Sequence, residues 1–251
     1  MNIYETDKLL AEYLLFHYGT PEEVLPPADG PRGALGYPER CVGECLDPAR
    51  LPAGARALDL GCAVGRSTFE LARHCGEVIG IDFSRRFIAA ANAICAEGGI
   101  DYSRADEGAL TTPCRAVVPP EIDRSRVRFA VGDAMNLHAG LGRFDVVLMA
   151  NLIDRLSAPL RCLERLAGLM NPGAQLIITS PCTWLEEFTP RENWLGGFTR
   201  DGQRVTTRDG LRAALAGAFD LVATRDLPFL IREHARKFQW SIAEATIWQR
   251  R

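Results

Sequence analysis

The chain lacks the features that would commit it to a membrane, to nucleic acid or to export. No run of about twenty apolar residues occurs, so no helical segment is long enough to span a bilayer. There is no basic excess: 29 Lys and Arg stand against 32 Asp and Glu, for a net charge of −3. The isoelectric point lies near 5.9. A nucleic-acid-binding surface would be basic, so no such partner is expected. The opening residues, Met-Asn-Ile-Tyr-Glu-Thr-Asp, lack the basic region and apolar run of a secretory signal, and the expected setting is cytoplasmic. Internal repeats and low-complexity tracts are missing as well. Eight cysteines are present, at positions 41, 45, 62, 75, 95, 114, 162 and 182. In that setting reduced thiols are expected. Cys41-x-x-x-Cys45 has no second pair and no His at finger spacing, so no metal site is assigned.

What is present is enough chain, 251 residues, for one large α/β domain with a full core. Its most informative stretch is Arg56–Ser84. An apolar strand, Arg56–Leu60, enters a turn of small residues. A helix pattern from Ser67 to His74 follows, then a second strand, Glu77–Ile81, ending on Asp82. Gly61, Ala63 and Gly65 would let the backbone approach a ligand closely. An acid at the end of the second strand accepts hydrogen bonds from ribose hydroxyls. This βαβ unit predicts a nucleoside cofactor. The dinucleotide fingerprint G-x-G-x-x-G is the competing pattern. Here the order is Gly-x-Ala-x-Gly, the third glycine is missing, and Asp59 stands two residues before Gly61.

Along the rest of the chain, Glu5–Tyr18 reads as an amphipathic helix, with Leu9, Leu10, Tyr13, Leu14 and His17 at helical spacing. Leu25–Leu51 reads as a structured loop with a short helix near Cys41–Leu46. Ser84–Ala96 is a helix with Ser84 as N-cap. Glu97–Arg126 is polar and turn-rich, an insertion with a hairpin around Gly108–Ala116. Strands are expected at Val127–Val131, Phe144–Met149 and Ala174–Thr179, and helices at Ala158–Met170 and Asp209–Ala218. Phe219–Phe229 and Phe238–Gln249 read as a late antiparallel pair. The expected fold class is α/β: a doubly wound, mostly parallel seven-stranded sheet with a terminal antiparallel hairpin. Residues 1–251 form one domain, with an N-terminal helix and cap over 1–50, the insertion over 97–126 and a substrate lid over 180–208. The lid interleaves Trp184, Phe188, Trp194 and Phe198 with charges, which suits a small polar aromatic substrate.

Asp59-x-Gly61-x-Ala63-x-Gly65 resembles motif I of the class I S-adenosylmethionine (SAM) methyltransferases, departing only at Ala63. The resemblance implies a Rossmann-like sheet, SAM as cofactor, S-adenosylhomocysteine (SAH) as product and a small-molecule acceptor. It implies cofactor contacts at Asp59, Gly61, Cys62, Ala63 and Gly65 in the turn. Asp82, Phe83 and Ser84 would serve the ribose end. Gly132, Asp133 and Ala134 would serve the adenine end, with Asp133 accepting from the amino group. Asn151 and Leu152 follow the fourth strand, where the family keeps residues near the sulfonium. That exit is not Asn-Pro-Pro-Tyr, so methylation of an exocyclic base nitrogen is not expected. Asn151 and Asp154 alone are too few carboxylate-type ligands for metal-dependent catechol transfer.

A closer resemblance links both ends and the core to the 5-thiohistidine (4-mercaptohistidine) N-methyltransferases of ovothiol biosynthesis. The segments are Asn2–Gly19, Leu58–Ser84, Ser180–Glu186 and Arg232–Trp248. It implies methylation of an imidazole ring nitrogen, giving ovothiol A. Tyr4, Asn151 and Asp154 are then the catalytic candidates. Tyr4, Asp154, Trp184 and Glu187 would surround the ring and ammonium, and Arg155 or Arg232 would fork the carboxylate. The run Arg232–Lys237 reads either as a solvated hairpin turn or as charge for a zwitterionic substrate. Alternatives stay open: the selenium analogue, a small phenol methylated on oxygen, a nicotinamide-dependent oxidoreductase, or an inert SAM-binding protein. Oligomeric state is not legible in the sequence.

Overall fold

The computed structural model describes residues 3–251. Asn2, the first residue of the segment likened to the thiohistidine enzymes, lies outside them. The N-terminal part is helical. Asp7–Tyr18 is α1, capped by the Thr6 hydroxyl, which accepts from Leu9 N at 3.3 Å. Pro21–Val24 is α2, closed by a Thr20/Glu23 capping box. Tyr37–Gly43 is α3, with a proline in its first turn. Proline is pre-organised for that position and has no amide to leave unsatisfied, which moves this helix ahead of the expected Cys41–Leu46.

The alternating part follows: β1 (Arg56–Leu60), α4 (Arg66–Leu71), β2 (Glu77–Asp82), α5 (Arg85–Glu97), β3 (Gly99–Glu107), β4 (Leu110–Val117), β5 (Val127–Val131) and β6 (Phe144–Ala150). Then come α6 (Pro159–Leu169), β7 (Met170–Ser180), β8 (Phe198–Arg200), β9 (Gln203–Val205), α7 (Thr207–Leu215), β10 (Phe219–His234) and β11 (Lys237–Arg250). Seven strands form one sheet in the order β10-β11-β7-β6-β1-β2-β5. Neighbours from β5 to β7 pair in parallel. Only β11 runs against both of its neighbours. This is the doubly wound sheet with a terminal antiparallel hairpin that the sequence predicts.

The central strands are apolar because helices cover both faces. Along β6, Val146 and Leu148 face one core cluster with Phe69 and Phe87. Val147 and Met149 face the other, with Leu163, Leu166 and Trp248. The period of two along a strand sends alternate residues into alternate layers.

Two regions depart from the sequence reading. The polar insertion is an ordered hairpin, β3–β4, much longer than the turn expected at Gly108–Ala116. Ile100 and Tyr102 alternate with exposed Asp101 and Ser103. The hairpin is tied down by Arg104 Nη1 on Glu23 O at 3.2 Å and by Arg232 Nη2 on Asp106 Oδ1 at 3.1 Å. The strand expected from Ala174 begins at Met170, because the Asn-Pro-Gly turn sits within the strand as an irregularity in its pairing with β6.

Candidate active site

The carboxyl ends of β1, β2, β5 and β6 open into a cleft of about 460 Å³, where open α/β sheets bind their ligands. The turn after β1 supplies its floor. Gly61 and Ala63 adopt left-handed backbone, φ +74° and +48°. A Cβ on Gly61 would stand 2.9 Å from the Leu152 side chain, so Gly61 is required by packing as well as by φ. Gly65 lies outside the cleft lining. Its φ is +90°, and a Cβ there would meet the Phe129 ring at 2.5 Å. It turns the chain into α4 and lets β5 pack closely. The amides of Gly61 and Cys62 donate to Ile81 O at 2.8 and 3.2 Å, and that of Ala63 to Asp82 Oδ2 at 2.9 Å. A pyrophosphate-binding turn needs such amides free for the ligand, and here all three are taken, which disfavours a dinucleotide.

Three acids have different surroundings. Asp82 ends β2. Its Oδ1 accepts from Ser84 N at 2.8 Å while Oδ2 holds Ala63. Two backbone bonds aim the carboxylate and leave lone pairs for a ligand's hydroxyls. Burial raises its pKa, and the amide bonds oppose the rise. Asp133 follows β5. Its Oδ1 accepts from Met135 N at 2.9 Å, and Oδ2 has no partner among the described residues. Asp59 is buried within β1 and accepts from Thr68 Oγ1 at 2.7 Å. Burial pushes its carboxyl up to about 7. Between the acids of β2 and β5, Phe83 is 68% exposed, an uncovered ring lining the cleft beside Ala134 and Met135.

The facing wall comes from the N-terminal helices. Tyr4, Tyr13, Phe16, His17 and Tyr37 line it with Phe87 and Phe188. Tyr13 lies against Phe87 with ring centres 4.8 Å apart, and Phe16 stacks on Tyr37 at 5.9 Å. The wall is pinned to the cofactor side. Tyr18 Oη donates to Val64 O at 2.7 Å, Ser84 Oγ to Tyr4 O at 3.0 Å, and Arg85 N to Glu5 Oε1 at 2.9 Å. Burial raises the Tyr4 pKa, with Arg155 opposing. Asn151, at the exit of β6, has φ +51°. Such strain in a non-glycine residue gathers at functional sites. Its Oδ1 accepts from Tyr37 Oη at 2.7 Å and Thr179 Oγ1 at 3.2 Å. That leaves its amide hydrogens as donors toward a ligand.

The residues expected around the substrate divide. Tyr4, Asn151, Arg155 and Glu187 line the cleft; Asp154, Trp184 and Arg232 do not. Asp154 is fully buried, and its Oδ2 accepts from Thr183 N at 3.0 Å and Arg155 Nη1 at 3.2 Å. It thereby sets Arg155, whose guanidinium lies 4.8 Å over the Phe188 ring. Trp184 stacks on Trp194 at 6.3 Å and donates to Thr207 Oγ1 at 2.8 Å. Arg232 is buried against Glu23 and Asp106. Tyr13, Phe16, His17 and Tyr37 are wall residues that the sequence reading did not assign to the site, while Phe188 comes from the expected lid. Among the described residues no group of three His, Cys, Asp or Glu could hold a metal, no cysteine is paired, and no helix is long and apolar enough to cross a membrane.

The methyltransferase domain family matches residues 39–222. The chain belongs to this family. The methyltransferase is similar to the magnesium-protoporphyrin O-methyltransferase of Rhodobacter capsulatus, 30% identical over 157 residues and 58% of each chain. It is also similar to the ubiquinone biosynthesis O-methyltransferase of Caulobacter sp. (strain K31), 26% identical over 171 residues, 65% of this chain and 58% of that one. The chain therefore spans less than two thirds of either relative. Among solved structures, the N-methyltransferase NodS from Bradyrhizobium japonicum WM9 in complex with SAH shares the fold. Its TM-score is 0.52 at 15% identity, over 96% of this chain and 98% of that one.

The cofactor of this methyltransferase is SAM, and the cleft suits it. Asp82 offers an aimed carboxylate for a ribose, Asp133 an unpartnered oxygen and Phe83 an uncovered ring for a base. None of the three needs to break a bond within the protein to do so.

Proposed function

We propose that this methyltransferase methylates an imidazole ring nitrogen of 5-thiohistidine. One observation carries the reading. The wall facing the cofactor turn is built from Tyr4, Tyr13, Phe16, His17 and Tyr37, all before residue 39, where the match to the general family begins. Most of that wall falls in the segment that resembles the thiohistidine enzymes. An aromatic box with a few polar groups suits a flat, polar ring.

When bound, SAM supplies an electrophilic methyl on a cationic sulfur. The residues then have a positioning task, because the sulfur of the acceptor is a better nucleophile than its ring nitrogen. Asn151, locked by Tyr37 and Thr179, presents its amide hydrogens. Arg155 is the fork for the amino acid's carboxylate, held ready by Asp154. Arg232 is already bonded elsewhere. Glu187 faces the ammonium, and Tyr4 closes the cleft beside Arg155. The cofactor contacts are Asp59, Gly61, Cys62, Ala63, Asp82, Phe83, Ser84, Gly132, Asp133, Ala134, Asn151 and Leu152. In this reading the protein is one cytoplasmic domain, with residues 1–50 capping the cleft, 97–126 bracing that cap and 180–208 closing one side.

A second reading is transfer to oxygen, for which a small phenol is the acceptor tested; the O-methyltransferase names of the curated relatives favour an oxygen acceptor. The selenium analogue of the first substrate is a variant of the first reading. Labelled SAM offered with 5-thiohistidine, its seleno analogue and a small phenol separates them. Label on a ring nitrogen is expected. Label on the phenol oxygen, or on sulfur alone, would overturn the proposal.

A further inference from the structure

His17 sits in the last turn of α1 and lines the cleft, with no role so far. It is 8% exposed. Its Nδ1 is fully buried without a hydrogen-bond partner, and neither ring nitrogen bonds any described residue. Nδ1 is closed off from the cleft, so Nε2, unbonded and not fully buried, is the nitrogen that a ligand there can reach. Polar atoms of so buried a ring are nearly always paired, which points to a partner supplied from the cleft. The surroundings suit a flat ring. Tyr13 stacks on His17 with centres 5.9 Å apart, and Phe16 meets it edge-on at 5.4 Å. Burial, with the Arg66 charge adding to it, pushes the imidazole's pKa down to about 3. It therefore stays neutral at working pH, with one N–H donor and one bare acceptor nitrogen.

We propose that His17 selects the tautomer of the acceptor ring: its bare nitrogen accepts the acceptor's ring N–H, so the other ring nitrogen keeps the lone pair that takes the methyl. This rests on the imidazole reading of the acceptor. The bonds balance without a base. The lone pair forms the new N–C bond as the methyl's C–S bond breaks, and that bond's electron pair stays on the departing sulfur. The positive charge moves to the acceptor ring, whose remaining N–H stays hydrogen-bonded to His17. That proton leaves to water after release. An imidazole that resists protonation down to about pH 3 holds an N–H without removing it, so His17 is a positioning residue and not a general base. The device answers a difficulty specific to this chemistry. An imidazole acceptor offers two ring nitrogens, and only the one without hydrogen can attack.

The test uses His17→Phe, which keeps the stacked ring but removes both nitrogens, and His17→Asn, which restores a neutral donor and acceptor. SAH affinity, measured by calorimetry, controls for folding and should stay within about twofold of wild type in both variants. With 5-thiohistidine, His17→Phe should raise KM by about tenfold or more, the scale of one buried hydrogen bond. It should also turn a single ring-methylated product into a mixture of the two ring isomers, read by NMR. His17→Asn should recover the single product in part. Unchanged KM and a single isomer in His17→Phe would overturn the inference. A purely structural role would lower kcat and SAH affinity together and leave the isomer ratio alone. If wild type fails to methylate 5-thiohistidine, the substrate reading falls separately. In that case nitrogen-15 spectra of wild-type His17, recorded with SAH and added imidazole, decide the question. Shifted ring-nitrogen resonances support the hydrogen bond, and unmoved ones refute it.

Discussion

Replacing Asp59 by Asn should make the protein more stable relative to wild type as pH rises, and the size of the effect follows from the surroundings of the carboxyl. Asp59 is 1% exposed in β1, and its one side-chain bond is from Thr68 Oγ1. Burial raises its pKa from an ordinary 3.8 to about 7; the Thr68 bond lowers it and the Asp82 charge raises it further. The folded chain thus holds this proton more tightly than the unfolded chain. The associated stability is fully present below pH 3.8 and is lost as pH rises through about 7. The two pKa values lie about three units apart, each unit worth about 1.4 kcal/mol, so the full loss is about 4 kcal/mol. About 3 kcal/mol of it falls between pH 5 and pH 8. Asn keeps an acceptor for Thr68 and carries no charge. Its own buried amide has a cost, but that cost does not depend on pH and cancels between the two conditions. The difference in Tm, variant minus wild type, should therefore grow by roughly 6–12 °C from pH 5 to pH 8, at about 2–4 °C per kcal/mol for a domain of this size. Thermal melts followed by circular dichroism measure it. An equal difference at both pH values would refute the assignment of a strained, buried carboxyl to Asp59.

Asp82→Ala removes the carboxylate that anchors Ala63 and Ser84; calorimetry should show SAH binding weakened by about 10–100-fold, as for loss of charge-assisted hydrogen bonds, and unchanged affinity would remove Asp82 from the ribose site. Tyr37→Phe removes the hydroxyl bonded to Asn151 Oδ1. It should lower kcat by roughly tenfold, and an unaltered kcat would mean that Asn151 needs no such support. Trp184→Phe deletes the bond to Thr207. Denaturant melts should show a loss of about 1–2 kcal/mol while the acceptor KM stays at the wild-type value; a raised KM would return Trp184 to the site.

The sheet was legible because parallel strands buried on both faces read as apolar runs that no loop would carry. The expected bounds of the strands at Arg56–Leu60 and Val127–Val131 are those observed. The β3–β4 hairpin was harder to see. One of its faces is solvated, so its composition is polar, and only the alternation at Ile100, Tyr102, Cys114 and Ala116 marks the buried face. Composition and periodicity disagreed there, and periodicity carried the structural information.

The cofactor half of the cleft is local in the chain: one turn and the ends of three strands. That is why a short motif can mark it. The facing wall, which the proposed function gives to the acceptor, is assembled over long separations, from α1, from Tyr37 in α3 and from the exit of β6. Tyr13 and His17 appear in the sequence as members of an apolar helical stripe, and helical spacing cannot distinguish a stripe that meets a core from one that meets a ligand. The aromatics after β7 divide: Phe188 lines the cleft, whereas Trp184 and Trp194 stack on each other against the core. The two halves are nevertheless held in register. Tyr18 bonds the cofactor turn at Val64, and Ser84, the N-cap of α5, bonds Tyr4. A substitution on the inner face of α1 can thus change which acceptor fits while these bonds keep the cofactor side in place. Under the proposed reading, acceptor choice is set jointly by this wall, which lies before the general family match begins at residue 39, and by Asn151, Arg155 and Glu187 within it.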